Sequence, residues 1–408
     1  MSAGVIEAVK VGYNPLDPKV TSDPYPHYAE LRDVAPVHWL ETMQGFAVSR
    51  WEDVIAVLRD GKTYSSAQFW PALLGEYDPV PEVPPMISLD PPGHMRIRKL
   101  ANSTFVPNRV AAMHDKIVGV ANELIDGIFE RHGSSGEFDF VWEFSALFPV
   151  SVVADVIGVD LERRVDFKHW VDDLLSAGNR AAYGPDRLAE IELSSKAIRS
   201  YFEDIYDQRV AQPRDDLISA FIQAEVNGER LTRSEVLNLA ILLLIGGVET
   251  TTNLLGITFA HLKHHPEAMA AVREDLARIP VLVEEVLRFD GPVQMLFRHT
   301  TRDTELAGVA IPKGSLVLPL LGSANHDDRK FEDAEAFVWD RNPKEIMSFG
   351  QGPHFCLGSF LSRMEARTAL ELLFSRFEEL LPIDDHVEWM DSYFARGPKT
   401  LPVRFVAR

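Results

Sequence analysis

Phe349-Gly-Gln-Gly-Pro-His-Phe-Cys-Leu-Gly358 contains Cys356, the one cysteine of a 408-residue chain. A single thiol cannot close an internal disulfide, so Cys356 is either inert packing or chemistry. A free cysteine is by default a small buried hydrophobe. Its neighbours here argue for chemistry. Gly350, Gly352 and Gly358 let the backbone turn tightly and come close to a bound group. Pro353 stiffens the loop and has no N–H. A short, stiff loop rich in backbone amides and carrying one sulfur suits a thiolate bound axially to haem iron, because the amides can donate to the sulfur and tune the metal.

Working outward, a helical pattern follows the loop over residues 357–377. Further long helical patterns cover 107–131 and 187–209. Thr232 with Glu235 forms a capping-box signature that opens a long central helix, and Pro266 should end it. Residues 305–319 read as two short strands about a Pro-Lys-Gly turn. Residues 71–92 are rich in proline yet carry large apolar side chains, so they read as a loop packed over something rather than a linker. The expected fold is mainly α with a small β part. No repeat or low-complexity linker divides it, so we expect one domain over 1–408, with 1–20 irregular.

Several further groups of residues bear on chemistry. The central helix contains Gly246-Gly-Val-Glu-Thr250. Adjacent glycines in a helix interior cost about 1 kcal/mol each relative to alanine. They allow either tight helix packing or a local opening that leaves room for a ligand, with Glu249 and Thr250 beside it as an acid and a hydroxyl. Glu285-Val-Leu-Arg288 puts opposite charges on one helix face, and its apolar flanks favour an interior ion pair over a solvated one. His94 and Arg98 stand one helical turn apart, as two donors for ligand carboxylates or as an ordinary surface helix start. His261 and His265 have a zinc-like spacing but lack the intervening glutamate and a third ligand, so they read as exposed helix-end histidines. No phosphate loop, dinucleotide fingerprint or nucleophile elbow is present.

The formal charge of -20 argues against nucleic acid as a partner. The N-terminus shows no basic-then-apolar leader. The most apolar run, 236–248, is shorter than the roughly 20 residues that a bilayer span needs. These features lead us to expect a cytoplasmic protein without a membrane segment.

The Cys356 loop, Glu285-x-x-Arg288, Gly246-Gly-x-Glu-Thr250 and His94-x-x-x-Arg98 occur in the order and rough spacing of the cytochrome P-450 family, the haem-thiolate monooxygenases. The chain resembles their soluble bacterial branch from about Asp23 to Phe405, and Ser323-Ala-Asn325 is part of that likeness. The resemblance implies haem b between the central helix and the helix after the cysteine loop. Cys356 would ligate the iron and Phe349 would pack beside it, with Gly350, Gly246 and Gly247 close to the cofactor. His94, Arg98, Arg298 and His354 would meet the propionates. Glu285, Arg288 and Arg341 would form a structural network that holds the cysteine loop. Glu249 and Thr250 would deliver protons. Ile346 departs from the pattern, because the bacterial branch often has a histidine there.

The implied reaction inserts one oxygen atom from O2 into a small hydrophobic molecule, by hydroxylation or the related epoxidation or dealkylation. Substrate-facing residues are expected from Phe69, Trp70 and Leu73, from Leu243 and Val248, from Gln294, Met295 and Leu296, and from Tyr393 and Phe394. Residues 65–93 contain no Lys or Arg, which favours a neutral substrate; Arg180 or Arg187 could still anchor an anion. No flavin or iron–sulfur motif is present, so electrons are expected from a ferredoxin and its NAD(P)H-dependent reductase, steered by Arg96, Lys99, Arg363 and Arg367. Two alternatives are a peroxide-using peroxygenase, which the Glu249-Thr250 pair argues against, and a non-catalytic haem sensor or carrier, for which no partner module is visible.

Overall fold

The computed structural model describes residues 11–102, 105, 111 and 113–408. Its organising element is the central helix Arg233–His264. The Thr232 hydroxyl accepts from the Glu235 amide while the Glu235 carboxylate accepts from the Thr232 amide, so the capping box is complete. The helix stops where Pro266 begins the next one. By length and composition it could cross a membrane, but 72% of its most apolar window is buried by the rest of the fold. Helices Leu147–Ile157, Pro185–Ala211, Ile279–Phe289 and Ser359–Arg376 pack around it. A helix that is apolar all round needs such a jacket.

Most expected elements are present with shifted ends. The 187–209 pattern becomes Pro185–Ala211, and 357–377 becomes Ser359–Arg376. The 107–131 pattern becomes His114–His132; most of its expected first turn lies outside the described residues. Residues 1–20 are not irregular throughout, because Pro18–Ser22 is helical and Val20 is buried. The strands about Pro312-Lys-Gly314 form but do not pair with each other. Val309–Ile311 pairs back onto Thr304–Leu306 across Ala307 and Gly308, both at positive φ. Leu316–Pro319 instead enters a five-stranded sheet.

That sheet runs in the order Val37–Leu40, Gly45–Val48, Leu316–Pro319, Arg298–Thr300, Tyr64–Ser65. Leu316–Pro319 lies parallel to Gly45–Val48 and antiparallel to Arg298–Thr300. A second, three-stranded sheet joins Phe377–Pro382, Pro402–Ala407 and Ser135–Asp139. The first sheet places Arg298, and the second continues directly from the helix after the cysteine loop.

A buried polar knot ties the chain ends to the middle. Asp290 accepts from Tyr25 Oη, from Arg396 Nε and from His261 Nε2 at 3.1 Å. Arg396 also donates to the carbonyls of Thr21 and Ser22 at 3.1 Å. His261 is therefore half-buried and structural rather than an exposed helix-end residue, and His265 Nδ1 bonds its carbonyl at 2.9 Å. Burial alone would push the Asp290 carboxyl up, but Arg396, His261 and Tyr25 outweigh it and hold it well below the usual range.

Breaking such a buried pair from one side costs about 3–5 kcal/mol, and Asp290→Asn should show a loss of this size in urea melts near neutral pH. A carboxyl held low in the folded state stabilises above its unfolded value of about 3.9 and loses that contribution as pH falls below it. The gap between wild type and variant should therefore be widest at pH 7 and should narrow in melts run at progressively more acid pH.

Candidate functional site

The cysteine loop is closed by its own backbone. The Cys356 amide donates to the Phe349 carbonyl at 2.9 Å, and the Gly350 amide donates to Met347 at 2.7 Å. Gly350 and Gly352 sit at φ +66° and +71°. A Cβ at Gly352 would also stand 2.6 Å from the Leu58 carbonyl, so only glycine fits there. Arg363 lies over the Phe349 ring at 4.2 Å and is gripped by Glu284. Burial pushes the Cys356 thiol up, while the Gly358 amide, Arg98 and Arg363 pull it back towards the thiolate.

The loop is anchored from behind. Arg288 Nε and Nη2 meet the two Glu285 oxygens at 2.8 Å, and both residues are fully buried. Arg341 Nε adds a third contact to Glu285 at 3.2 Å. Arg288 spends its remaining donors on the carbonyls of Asn325, Ala334 and Ala336. Asn325 then accepts from the Met347 amide at 2.7 Å and donates to Ser348 at 2.9 Å. The ion pair thus holds residues 325–338 directly and reaches the cysteine loop through the Asn325 side chain.

Beside the sulfur lies a group of nitrogens with little to bind. The His94 and His354 rings are 4.2 Å apart. Both His94 nitrogens are buried without a hydrogen-bond partner among the described residues. Burial, then His94, Arg298 and Arg98, push His354 down to about 3. Burial also pulls Arg298 down to about 10 and lowers Arg98. The nearby carboxylate, Asp90, is taken up by Ser65 and the Ser66 amide. Buried nitrogens in this state call for an anionic ligand, and the two propionates of haem b fit them. Ile346 is buried among apolar residues and offers no donor.

Across from the loop, the two glycines of the central helix have different jobs. A Cβ at Gly247 would stand 2.8 Å from Val153, which is tight helix packing. A Cβ at Gly246 would meet nothing within 4 Å, which is open space. The helix is unbroken, and the Thr250 hydroxyl donates back to the Gly246 carbonyl at 2.8 Å. Glu249 and Thr250 do not meet. The Glu249 carboxylate accepts from Asn253 at 3.3 Å and faces Lys168 at 3.7 Å, and Lys168 also binds Asp172. Burial holds the Glu249 carboxyl above its ordinary value, and its Oε2 has no hydrogen-bond partner among the described residues. A cavity of about 450 Å³ opens beside it, lined also by Leu73, Tyr393 and Phe394. Lys168 and Asn253 carried no motif of their own and were not legible in the sequence.

The expected substrate residues divide. Phe69 packs on Phe394 and on Phe297, a residue the sequence did not single out. Trp70, Val248 and Met295 are buried, while Leu243 and Leu296 are half-buried. Gln294 is a correction: its side chain accepts from Tyr28 Oη at 3.2 Å and donates to the Gly291 carbonyl at 2.9 Å, so both its ends are taken. The expected steering cations are also mostly committed, Arg96 to Glu235, Arg363 to Glu284 and Arg367 to Glu371, and Lys99 is exposed.

Because Cys356 is the one thiol, its chemistry reports on this anchoring. Glu285→Gln leaves Arg288 buried against a neutral partner and should cost about 3–5 kcal/mol. The variant should also speed labelling of Cys356 by a small disulfide reagent in haem-free protein. Unchanged labelling would mean that the loop is not held through Asn325.

The cytochrome P450 family profile matches residues 34–405. Putative cytochrome P450 123 of Mycobacterium tuberculosis is 36% identical, covering 97% of each chain. The 6-deoxyerythronolide B hydroxylase of Saccharopolyspora erythraea is 35% identical, covering 94% of this chain and 96% of its own. The structure of cytochrome P450 CYP109Q5 from Chondromyces apiculatus superposes with a TM-score of 0.89 at 38% identity, covering 97% of this chain and 98% of its own. With its single cysteine on a glycine-rich loop between the two long helices, this chain belongs to the cytochrome P450 family, the monooxygenases that bind haem b.

Proposed function

We propose that the chain inserts oxygen into a small, neutral, hydrophobic molecule, and that Cys356 would hold the haem iron as a thiolate. The observation that carries this reading is the half-buried Cys356 close to four nitrogen-bearing side chains, His94, His354, Arg98 and Arg298, whose protonated forms are all disfavoured by burial, with both His94 nitrogens unpartnered among the described residues. These four would hold the propionates, and Gly246, Gly350 and Phe349 would border the cofactor. When bound, haem b supplies the oxidation, and a thiolate ligand favours O–O cleavage. The protein's own task is to orient the substrate, exclude water and move protons. Glu249 takes protons on the Lys168 side and passes them to the Thr250 hydroxyl after its carboxylate turns. A raised carboxyl is suited to that work, because it can hold and release a proton nearer neutrality.

The neutral substrate class rests on where the charges go. Arg187 is taken by Asp173 and Glu190, Arg180 by backbone carbonyls, and Lys168 by Asp172. The wall near Phe69, Phe297, Tyr393 and Phe394 is aromatic. The relative named as a hydroxylase favours hydroxylation as the outcome. Electrons come from a ferredoxin and its NAD(P)H-dependent reductase. A docking face for it lies around the cysteine loop, where Met95, Phe355 and Phe360 are exposed, Arg59 donates to Gln351 at 3.2 Å, and exposed Lys99 shares the helix of His94. The reading of a cytoplasmic enzyme is supported by the burial, within the fold, of most of the one helix among the described residues that is long and apolar enough to cross a membrane.

The deciding measurement is the absorption spectrum of the reduced, carbon monoxide-bound protein. Wild type should show the strongly red-shifted Soret band of thiolate ligation, and Cys356→Ser should lose it. A wild-type band at the ordinary histidine-ligated position would overturn the assignment. Glu249→Gln should keep the band and slow turnover about 10²–10⁴-fold. Phe360→Glu should keep the band and slow reduction by ferredoxin, and a reduction rate equal to that of wild type would remove this face from consideration.

A further inference from the structure

Two segments meet above the pocket, and one arginine joins them. The short helix Phe69–Leu74 carries three of the expected substrate residues, and the turn Ala177–Ala182 lies against its end. The last carbonyls of a helix have no partner within it. Here Arg180 Nη1 reaches the carbonyls of Ala72 at 3.3 Å and Leu73 at 3.4 Å, and also that of Ala177 in its own turn at 3.0 Å. Its guanidinium lies flat against Gly75, where an added Cβ would stand 2.9 Å from Nη2. Gly75 is at φ +55°, which also favours glycine. Arg180 Nε faces Glu76 at 3.6 Å. Among the described residues, the side-chain polar contacts that reach residues 72–76 from outside the segment all come from Arg180.

The far end of the same loop is tied differently. Arg199 donates to the Pro79 carbonyl and to Glu82, and Asn238 of the central helix donates to the Val83 carbonyl at 2.7 Å. The Asp90 end is held by Ser65 and Ser66. The start of the Phe69–Leu74 helix is tied within the same loop, the Trp70 amide donating to the Ser88 hydroxyl at 2.8 Å, so it is the end of the helix that depends on Arg180 and on apolar contacts. Leu73 belongs to the wall of the 450 Å³ cavity together with Ser176, Gly178, Asn179 and Tyr393. A Cβ at Gly178 would stand 3.4 Å from Leu73, so the two segments close that wall by direct contact. The Arg180 side chain is 29% exposed, so water can replace its bonds when it lets go.

We infer that Arg180 is a positioning residue that latches the Phe69–Leu74 helix to the Ala177–Ala182 turn, and that its release admits the substrate. This rests on the haem-thiolate reading, because it takes the roof over the pocket as the route in. The arginine spends its charge on backbone carbonyls rather than on a ligand. It therefore sets how often the pocket opens, while the apolar wall decides what stays bound. A latch of this kind speeds or slows entry and exit together and leaves affinity almost unchanged.

The test uses haem-loaded protein and phenylimidazole, whose azole nitrogen binds the iron and shifts the Soret band. In Arg180→Ala, association and dissociation rates measured by stopped flow should both rise about ten-fold, the equivalent of one lost net hydrogen bond, with Kd changed less than three-fold. Arg180→Lys keeps the charge but not the fork and should fall between the two. Gly75→Ala displaces the guanidinium from the other side and should behave like Arg180→Ala. Hydrogen exchange read on the same proteins should quicken at residues 72–77 and 177–183 and stay unchanged in the central helix. Rates within two-fold of wild type, or protection lost across the whole chain, would overturn the latch. The carbon monoxide spectrum is recorded first: a wild-type protein without the thiolate band fails the functional reading, whereas the exchange pattern still tests the latch.

Discussion

Keeping one half-buried sulfur able to carry negative charge is the demand that the rest of this structure meets. Burial alone pushes the Cys356 thiol up. Against that the fold places the Gly358 amide, Arg98 and Arg363 around it, and none of these can act unless the loop keeps its shape. The shape needs Gly350 and Gly352 at positive φ and a backbone bond from Cys356 to Phe349. It also needs support from below. The buried Glu285–Arg288 pair gives that support through Asn325, which touches both Met347 and Ser348. A buried ion pair is a poor source of stability by itself. Its value here is directional, because a guanidinium with every donor engaged fixes where three separate carbonyls lie.

The same logic explains the crowded nitrogens beside the sulfur. His94, His354, Arg98 and Arg298 crowd together at a cost to each, seen in their lowered proton affinities. A fold does not keep such a group unless something anionic offsets it. The central helix answers the need for space on the opposite side. Gly247 lets Val153 approach, Gly246 leaves a gap, and Thr250 bonds back to the Gly246 carbonyl at that gap. Glu249 turns to Lys168 instead, since consecutive helical residues point about 100° apart. The acid and the hydroxyl are thus adjacent in sequence but separated in space, and the proton delivery we propose for them would be a motion rather than a fixed wire.

The roof over the pocket is held more loosely than its floor. The floor uses fully buried charge pairs such as Glu285–Arg288. The roof uses partly exposed arginines on backbone carbonyls, as at Arg180 and Arg199. Water competes for the second kind and not for the first, so stability is concentrated where the cofactor sits and opening is confined to where small molecules must pass.

Local chemistry was readable from the sequence wherever the signal lay in neighbouring residues. The capping box at Thr232 and Glu235, the stop at Pro266, the glycines around Cys356 and the three-residue spacing of Glu285 and Arg288 each act within a turn or two of chain, so their meaning travels with the sequence. Pairings between distant segments did not travel. Nothing near Lys168 marks it as the partner of Glu249, nothing near Asn325 marks it as the strut beneath the cysteine loop, and Gln294 looked like a wall residue until Tyr28 and the Gly291 carbonyl claimed both its ends. His261 looked exposed until Asp290 buried it. A side chain's hydrogen-bond partners are set by which surfaces the packed helices bring within about 3 Å, and only the tertiary structure decides that. The sequence by itself determined the cysteine loop, the central helix and the family; the tertiary structure decided which charges are spent on the fold and which remain for a ligand.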